Sequence, residues 1–242
     1  MKIPKMSEFN ISILTEKSDW KRLLFEMSFN KSSIKDLKEE EKCLLGTIVG
    51  FVMHKDFCNN RKLKRKNRNG FYCKAKIKEL NTEADKDFVL SVLNKEREES
   101  KTLFIKNGKV FMDIANTSFF DLSPYWHNEN VMAGYTSLNI LLEKWENITS
   151  KNKKTREKAQ LDCLKKIHFA WVERNGKNNK KLCIDFNFLP KKEQDKDLML
   201  YEKTKEIINI LINNISSKLY KKWNKMRTKW NKKKVKNPFS LR

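Results

Sequence analysis

His54, His127 and His168 are the only histidines in this 242-residue chain. None has a partner at a spacing that makes a site on its own. His54 is followed by Lys55 and Asp56, and on a helix such neighbours point apart, so the three do not act together. His168 stands between Ile167 and Phe169 and reads as a part-buried helix residue. Asp121, Tyr125, His127 and Glu129 form the densest polar cluster, yet their spacing fits no specific metal-ligand pattern and is better explained by a capped helix start. Asp113 and Asp185 hold the positions that a metal-dependent nuclease would want, acids on strands with lysine nearby, but chance supplies such pairs in a chain of this composition. The six glycines fall in no phosphate-loop or dinucleotide spacing. The expectation is a non-enzyme with no catalytic residue, no cofactor and no metal.

The thiols offer chemistry of another kind. Cys43, Cys58, Cys73, Cys163 and Cys183 contain no Cys-x-x-Cys pair, which excludes a zinc ribbon or a thioredoxin-like motif. Cys43 and Cys58 on one helix would lie about 22 Å apart, far beyond disulfide reach. Cys183 sits on the polar side of an alternating stretch and is the expected exposed thiol. An odd cysteine count then predicts at least one disulfide between copies, and all five are candidates for it. The bland alternative is that the rest are small buried hydrophobes.

The formal charge is +23, from 53 Lys and Arg against 30 Asp and Glu. Two stretches, Asn59 to Lys78 and Ser216 to Arg242, are densely basic and contain no acid. Long single-sign segments imply a polyanion, a partner's carboxylates, or repulsion held in check by packing. Arg61 to Arg68 and Lys232 to Lys236 look like nuclear localisation signals, and Trp223 and Trp230 could stack on bases. The same tryptophans also continue an apolar helical stripe, which favours burial against protein. A membrane-surface helix shares these features. No secretory signal is read in Met1 to Asn10, and the longest apolar run, Cys43 to Met53, is too short to span a bilayer.

The elements that position these residues are read as follows. Ser18 caps a helix through Trp20, Leu23, Leu24 and Met27 to about Asn30. Ser33 opens a second, apolar nearly all round from Leu44 to Met53, with Gly46 and Gly50 as a flat spot for close helix packing. Asn69-Gly70 turns the chain. Thr82 and Asp85 resemble a capping box before a helix that reaches about Ser100. A two-residue hairpin follows at 102–114, joined by Asn107-Gly108. A helix starts at Ser123-Pro124, divided by Gly134, and another spans Lys153 to Arg174. Leu182 to Phe188 alternates like a strand. From Asp195 to Lys233 the pattern is one helix whose stripe includes Leu219, Trp223, Met226 and Trp230, long enough for those four to bury against another protomer. The fold class is mainly α. A helical domain, 1–194, carries a small β-hairpin and one further strand, and 195–242 forms a long basic amphipathic helix and tail exchanged between protomers.

The Lys-, Asn- and Ile-rich stretches Asn178 to Lys181, Ile207 to Asn214 and Asn231 to Lys234 are what an AT-rich genome writes, as in several insect DNA viruses. With its size, its cysteines and its lack of an active site, the chain resembles occlusion-body matrix proteins, the nudivirus polyhedrins in particular. It does not follow the baculovirus polyhedrin pattern. The resemblance, one of overall character, implies a mainly helical protomer that assembles with itself in the host nucleus and encases virions. Exchanged segments, ion pairs and disulfides would hold such a crystal. A charge of +23 per copy opposes that packing. A nucleic-acid-binding protein of an AT-rich virus is therefore the alternative.

Overall fold

Ten apolar or small residues in a row can be buried only if protein surrounds them on every side, and Cys43 to Val52 comes close in helix α2 (Glu39–Asn60), where Leu44 is half-buried and the other nine are buried. The structure, a computed structural model, describes residues 20–28, 31–60, 75–176, 179–217, 221 and 225–226. The other helices are α1 (Trp20–Ser28), α3 (Lys86–Leu93), α4 (Pro124–Glu143), α5 (Trp145–Ile148), α6 (Lys153–Asn175) and α7 (Lys191–Ser216). Strands β1 (Ile77–Glu79), β2 (Leu103–Lys106) and β3 (Lys109–Asp113) form an antiparallel sheet in the order β1-β3-β2. The protein is mainly α with a small β part. Among the described residues no helix is long and apolar enough to cross a membrane.

Helix α2 begins later than the periodicity suggests. Ser33 caps a 3₁₀ turn, Ile34–Asp36, with Asp36 closing the capping box, and Leu37 is extended, so the helix proper starts at Glu39. Three glutamates in the first turn of α2 suit the positive end of its dipole. The most extensive helix contact is between α2 and α4. There the expected flat spot is real. A Cβ on Gly46 would lie 2.6 Å from the Tyr135 Cα, and one on Gly134 would lie 2.1 Å from the Gly46 carbonyl oxygen. Gly134 thus belongs to the helix crossing and does not divide α4, which is continuous.

Helix α7 packs on α1, α2, α4 and α6 and runs antiparallel to α2. Lys203 pairs with Asp56 at 3.1 Å near the C-terminal end of α2. At the other end Ile212, Ile215 and Ser216 share a groove with Lys42.

The start of α4 is satisfied from outside. Pro124 occupies its first turn and Ser123 makes no side-chain cap. Instead the Tyr125 N–H donates to Asp85 Oδ1 at 3.0 Å, while the Thr82 hydroxyl donates to Asp85 Oδ2 at 2.8 Å. The residues read as a local capping box therefore serve a different helix 40 positions on. Helix α3 ends at Leu93, short of Ser100, where Lys95 takes φ 60°.

The hairpin is as expected, with Asn107 and Gly108 at φ 51° and 72°, both left-handed as a type I′ turn requires. Leu103 pairs with Met112 and Ile105 with Val110 on the face against the core, and Phe104 pairs with Phe111 on the other face.

Two further expectations fail. The strand at Leu182 to Phe188 is absent, and the third strand is β1, formed instead by Ile77–Glu79. Its place is taken by 3₁₀ turns, Lys180–Leu182 and Phe186–Phe188. The carbonyls of Leu182 and Ile184 both face His168 Nε2, at 3.1 and 3.0 Å, and the Asp185 carboxylate accepts the Asn187 N–H. Those groups are then spent and cannot join a ladder. The terminal helix also does not run unbroken to Lys233. Ser217 is extended (φ −69°, ψ 145°) and caps α7, its hydroxyl donating to Asn214 O at 3.1 Å. Asn213, Asn214, Ser216 and Ser217 crowd that point with side chains that compete for backbone groups. Helical residues resume at Lys221, whose N–H donates to Ser217 O. Ser18, Asn30 and the Asn69-Gly70 turn lie outside the described residues.

Candidate binding surfaces

The polar groups that could have formed a reaction centre are committed to holding the fold. His168, buried on α6, has Nε2 between two carbonyls, so that nitrogen carries the proton, and Nδ1 faces Asp197 Oδ2 at 3.4 Å. Burial raises the Asp197 carboxyl to about 6, with His168 opposing the rise. The pair pins the 179–189 segment against α6 and α7. It lacks the free Nε2 that a general base needs.

His54 Nε2 lies 2.9 Å from Thr117 O, and the His127 ring packs on Phe119 at 4.7 Å between centroids. Burial, and then the nearby His54, hold His127 below the usual imidazole range.

Of the polar cluster, Tyr125 and Glu129 meet Asn175. The Tyr125 hydroxyl donates to Asn175 Oδ1 at 2.8 Å, and Asn175 Nδ2 donates to Glu129 Oε2 at 2.7 Å, joining the start of α4 to the end of α6. Asp121 is exposed. Asp113 accepts the backbone N–H groups of Lys76 and Ala115, and Asp185 caps its own turn. Among the described residues no three acids, histidines or cysteines gather to hold a metal ion.

The thiols differ by burial. Cys163 is fully buried and pushed up to about 11 by desolvation. Cys43 is raised by burial first and Glu39 second, and both behave as small apolar side chains. Cys58 is half-buried with Sγ 3.5 Å from His54 Nε2. Cys183 is exposed, its thiol 3.4 Å from Gly176 O. No disulfide joins two of the described cysteines. Cys73, Leu219, Trp223 and Trp230 lie outside the described residues. Met226 is described, helical and 53% exposed.

Charge is unevenly placed. The acid-free stretches 59–78 and 216–242 hold 20 of the 53 Lys and Arg, leaving 33 bases to face all 30 acids in the rest of the chain. That remainder is knit by pairs such as Lys31 with Glu41, Lys203 with Asp56 and Arg174 with Glu129. Because α2 and α7 are antiparallel, the two basic stretches begin at opposite ends of the bundle. About 13 residues of α7 separate Lys203, beside the end of α2, from Ser216, roughly 20 Å along the helix.

One surface was not anticipated from the sequence. Phe104 and Phe111 stand across β2 and β3 with ring centroids 6.0 Å apart and planes 17° from parallel, outside the hydrophobic core. The signal was present in the hairpin register, which puts both rings on the face away from Leu103, Val110 and Met112. Comparison with protein-family models, with curated proteins and with solved structures gives no match for the chain.

Proposed function

We propose that the chain is a non-catalytic polyanion-binding protein and that its polyanion is nucleic acid. The observation that carries this reading is the segregation of charge, a nearly balanced helical body with 20 acid-free Lys and Arg in two stretches. Neutralising phosphates releases counterions, so binding should weaken steeply and linearly on a log–log plot against salt. The test is retention of labelled DNA between 50 and 200 mM salt by the full chain and by a truncation after Ser217. Retention with a steep slope, made shallower by truncation, supports the reading. A full-length chain that holds neither duplex nor single strand at 50 mM salt overturns it.

A second reading is a self-assembling occlusion-body matrix that encases virions in the nucleus. It is favoured by exposed apolar side chains in and beside the segment that carries an exposed thiol. Cys183 is flanked in sequence by exposed Ile184, and Phe188 and Phe169 are 78% and 62% exposed. The near-balanced body also lessens the repulsion that packed copies would feel. Particles isolated with thiols blocked should then show dimers on a non-reducing gel. They should stay turbid at neutral pH whatever the salt and clear above about pH 10.5, where lysines lose charge. Dissolution by salt alone at pH 7 counts against the matrix.

A further inference from the structure

A buried imidazole has few places to put its proton, and His168 has fewer than most. It is 5% exposed, and its Nε2 lies 3.1 Å from Leu182 O and 3.0 Å from Ile184 O. A carbonyl oxygen only accepts, so Nε2 donates and the neutral ring keeps its lone pair on Nδ1. That nitrogen faces Asp197 Oδ2 at 3.4 Å. Lone pair would meet carboxylate there unless a proton stands between them, on one atom or the other. The geometry thus calls for one proton more than a neutral imidazole and an ionised carboxylate possess.

That proton secures residues 180–184. Between Asn179 and Asp185 no residue is buried and only Leu182 is half-buried. The Cys183 thiol reaches no further than Gly176 O and Asn179 O. The chain beyond is anchored separately, by buried Phe186 and Leu189 and by the Gln194 amide, which donates to Phe186 O and Leu189 O. The two bonds from His168 are therefore what ties 180–184 to the body of α6.

We propose that a proton held between His168 and Asp197 latches the 180–184 segment to α6, and that its loss as pH rises frees the segment and the Cys183 thiol it carries. Without the proton, carboxylate and lone pair repel and the ring turns from its carbonyls. Burial raises the Asp197 carboxyl to about 6 against the pull of His168 on α6, while on its own helix Glu193 adds to the rise and Lys196 opposes it. The segment itself presents uncharged carbonyls to the pair. A carboxyl raised in the closed state and ordinary in the open one favours closure at low pH and loses that advantage above about 6.

Amide hydrogen exchange on the full chain tests the latch, with each rate divided by its intrinsic value to remove base catalysis. The Leu182 and Cys183 N–H groups donate to Asn179 O and Lys180 O and report on the segment. In the wild type their protection should fall about tenfold from pH 5 to pH 7.5. Asp197→Asn presents an amide that can donate to Nδ1 at every pH, so its protection should hardly change over that range. No fall in the wild type, or an equal fall in D197N, overturns the latch. Should the variant not fold, the wild-type His168 Nδ1 resonance decides. It should titrate over the same range, and a resonance that does not move overturns the proposal.

Discussion

The crossing of α2 and α4 and the outer face of the sheet use side-chain volume in opposite ways. At the crossing Gly46, Gly50 and Gly134 remove every side-chain atom so that backbone meets backbone. On the sheet Phe104 and Phe111 place two large rings where the core does not reach. The first arrangement serves density, since interiors tolerate no excess atom. The second leaves both rings half-buried and outside the core cluster, so it adds little to the density of the bundle. If that contrast holds, changes at the crossing should be costly and changes on the face nearly silent for stability.

The largest effect is expected for Gly134→Ala. Its methyl would sit 2.1 Å from the Gly46 carbonyl oxygen and 2.9 Å from the Gly50 nitrogen, both backbone atoms that cannot swing aside. A loss of about 3 kcal/mol or more should appear in thermal unfolding. Near-wild-type stability would break the close-packing account.

Leu138→Ala, at a fully buried position of α4, should cost about 2–5 kcal/mol, and Phe104→Ala about 1 kcal/mol or less. Urea titration of the two variants sharpens the comparison, and equal losses would return the sheet face to the core. Asp85→Ala removes the acceptor for the Tyr125 N–H and should cost about 1–2 kcal/mol, with the loss of helicity confined to α4.

Smaller effects depend on pH and carry opposite signs. His127 is held low, so below about 6.5 the unfolded chain takes a proton that the folded site resists, and stability falls on acidification. Asp197 is raised to about 6 from 3.8 and faces His168, Glu193 and Lys196. Its folded carboxyl keeps a proton between those values that the unfolded one has released. Its contribution is therefore present at low pH and lost as pH rises through about 6. His127→Phe should flatten the loss below pH 6.5. Asp197→Asn should cost more at pH 4 than at pH 7. Melting curves across that range check both, and parallel curves for variant and wild type would remove these groups from the pH response.

Much of the fold was legible because its signals are local. The helical spacing of α2, the Ser123-Pro124 start of α4 and the Asn107-Gly108 turn each depend on residues close in sequence. What was misread depends on distant groups. Nothing near Leu182 announces that His168 will claim its carbonyl, and nothing near Thr82 says that Asp85 will cap α4. The end of α7 was nearer to hand, because four Asn and Ser residues at 213–217 weigh against a continuous helix even without Gly or Pro. The exposure of Cys183 was foreseen, although the strand used to argue it does not exist. Of the candidate surfaces, the basic stretches were plain in the sequence. The phenylalanine pair needed the register.

The antiparallel setting of α2 and α7 has a consequence for stoichiometry. On the polyanion reading, the two acid-free stretches leave the bundle from starting points that a rigid span of roughly 20 Å separates. A strand long enough to reach both is bound with an effective concentration set by that span, and its apparent affinity exceeds either contact alone. An oligomer too short to reach fills one end and leaves the second for another oligomer, so two short strands load one protein. On the polyanion reading, short and long nucleic acids should therefore differ in stoichiometry, a long strand bridging both ends of one protein and short strands binding two to a protein.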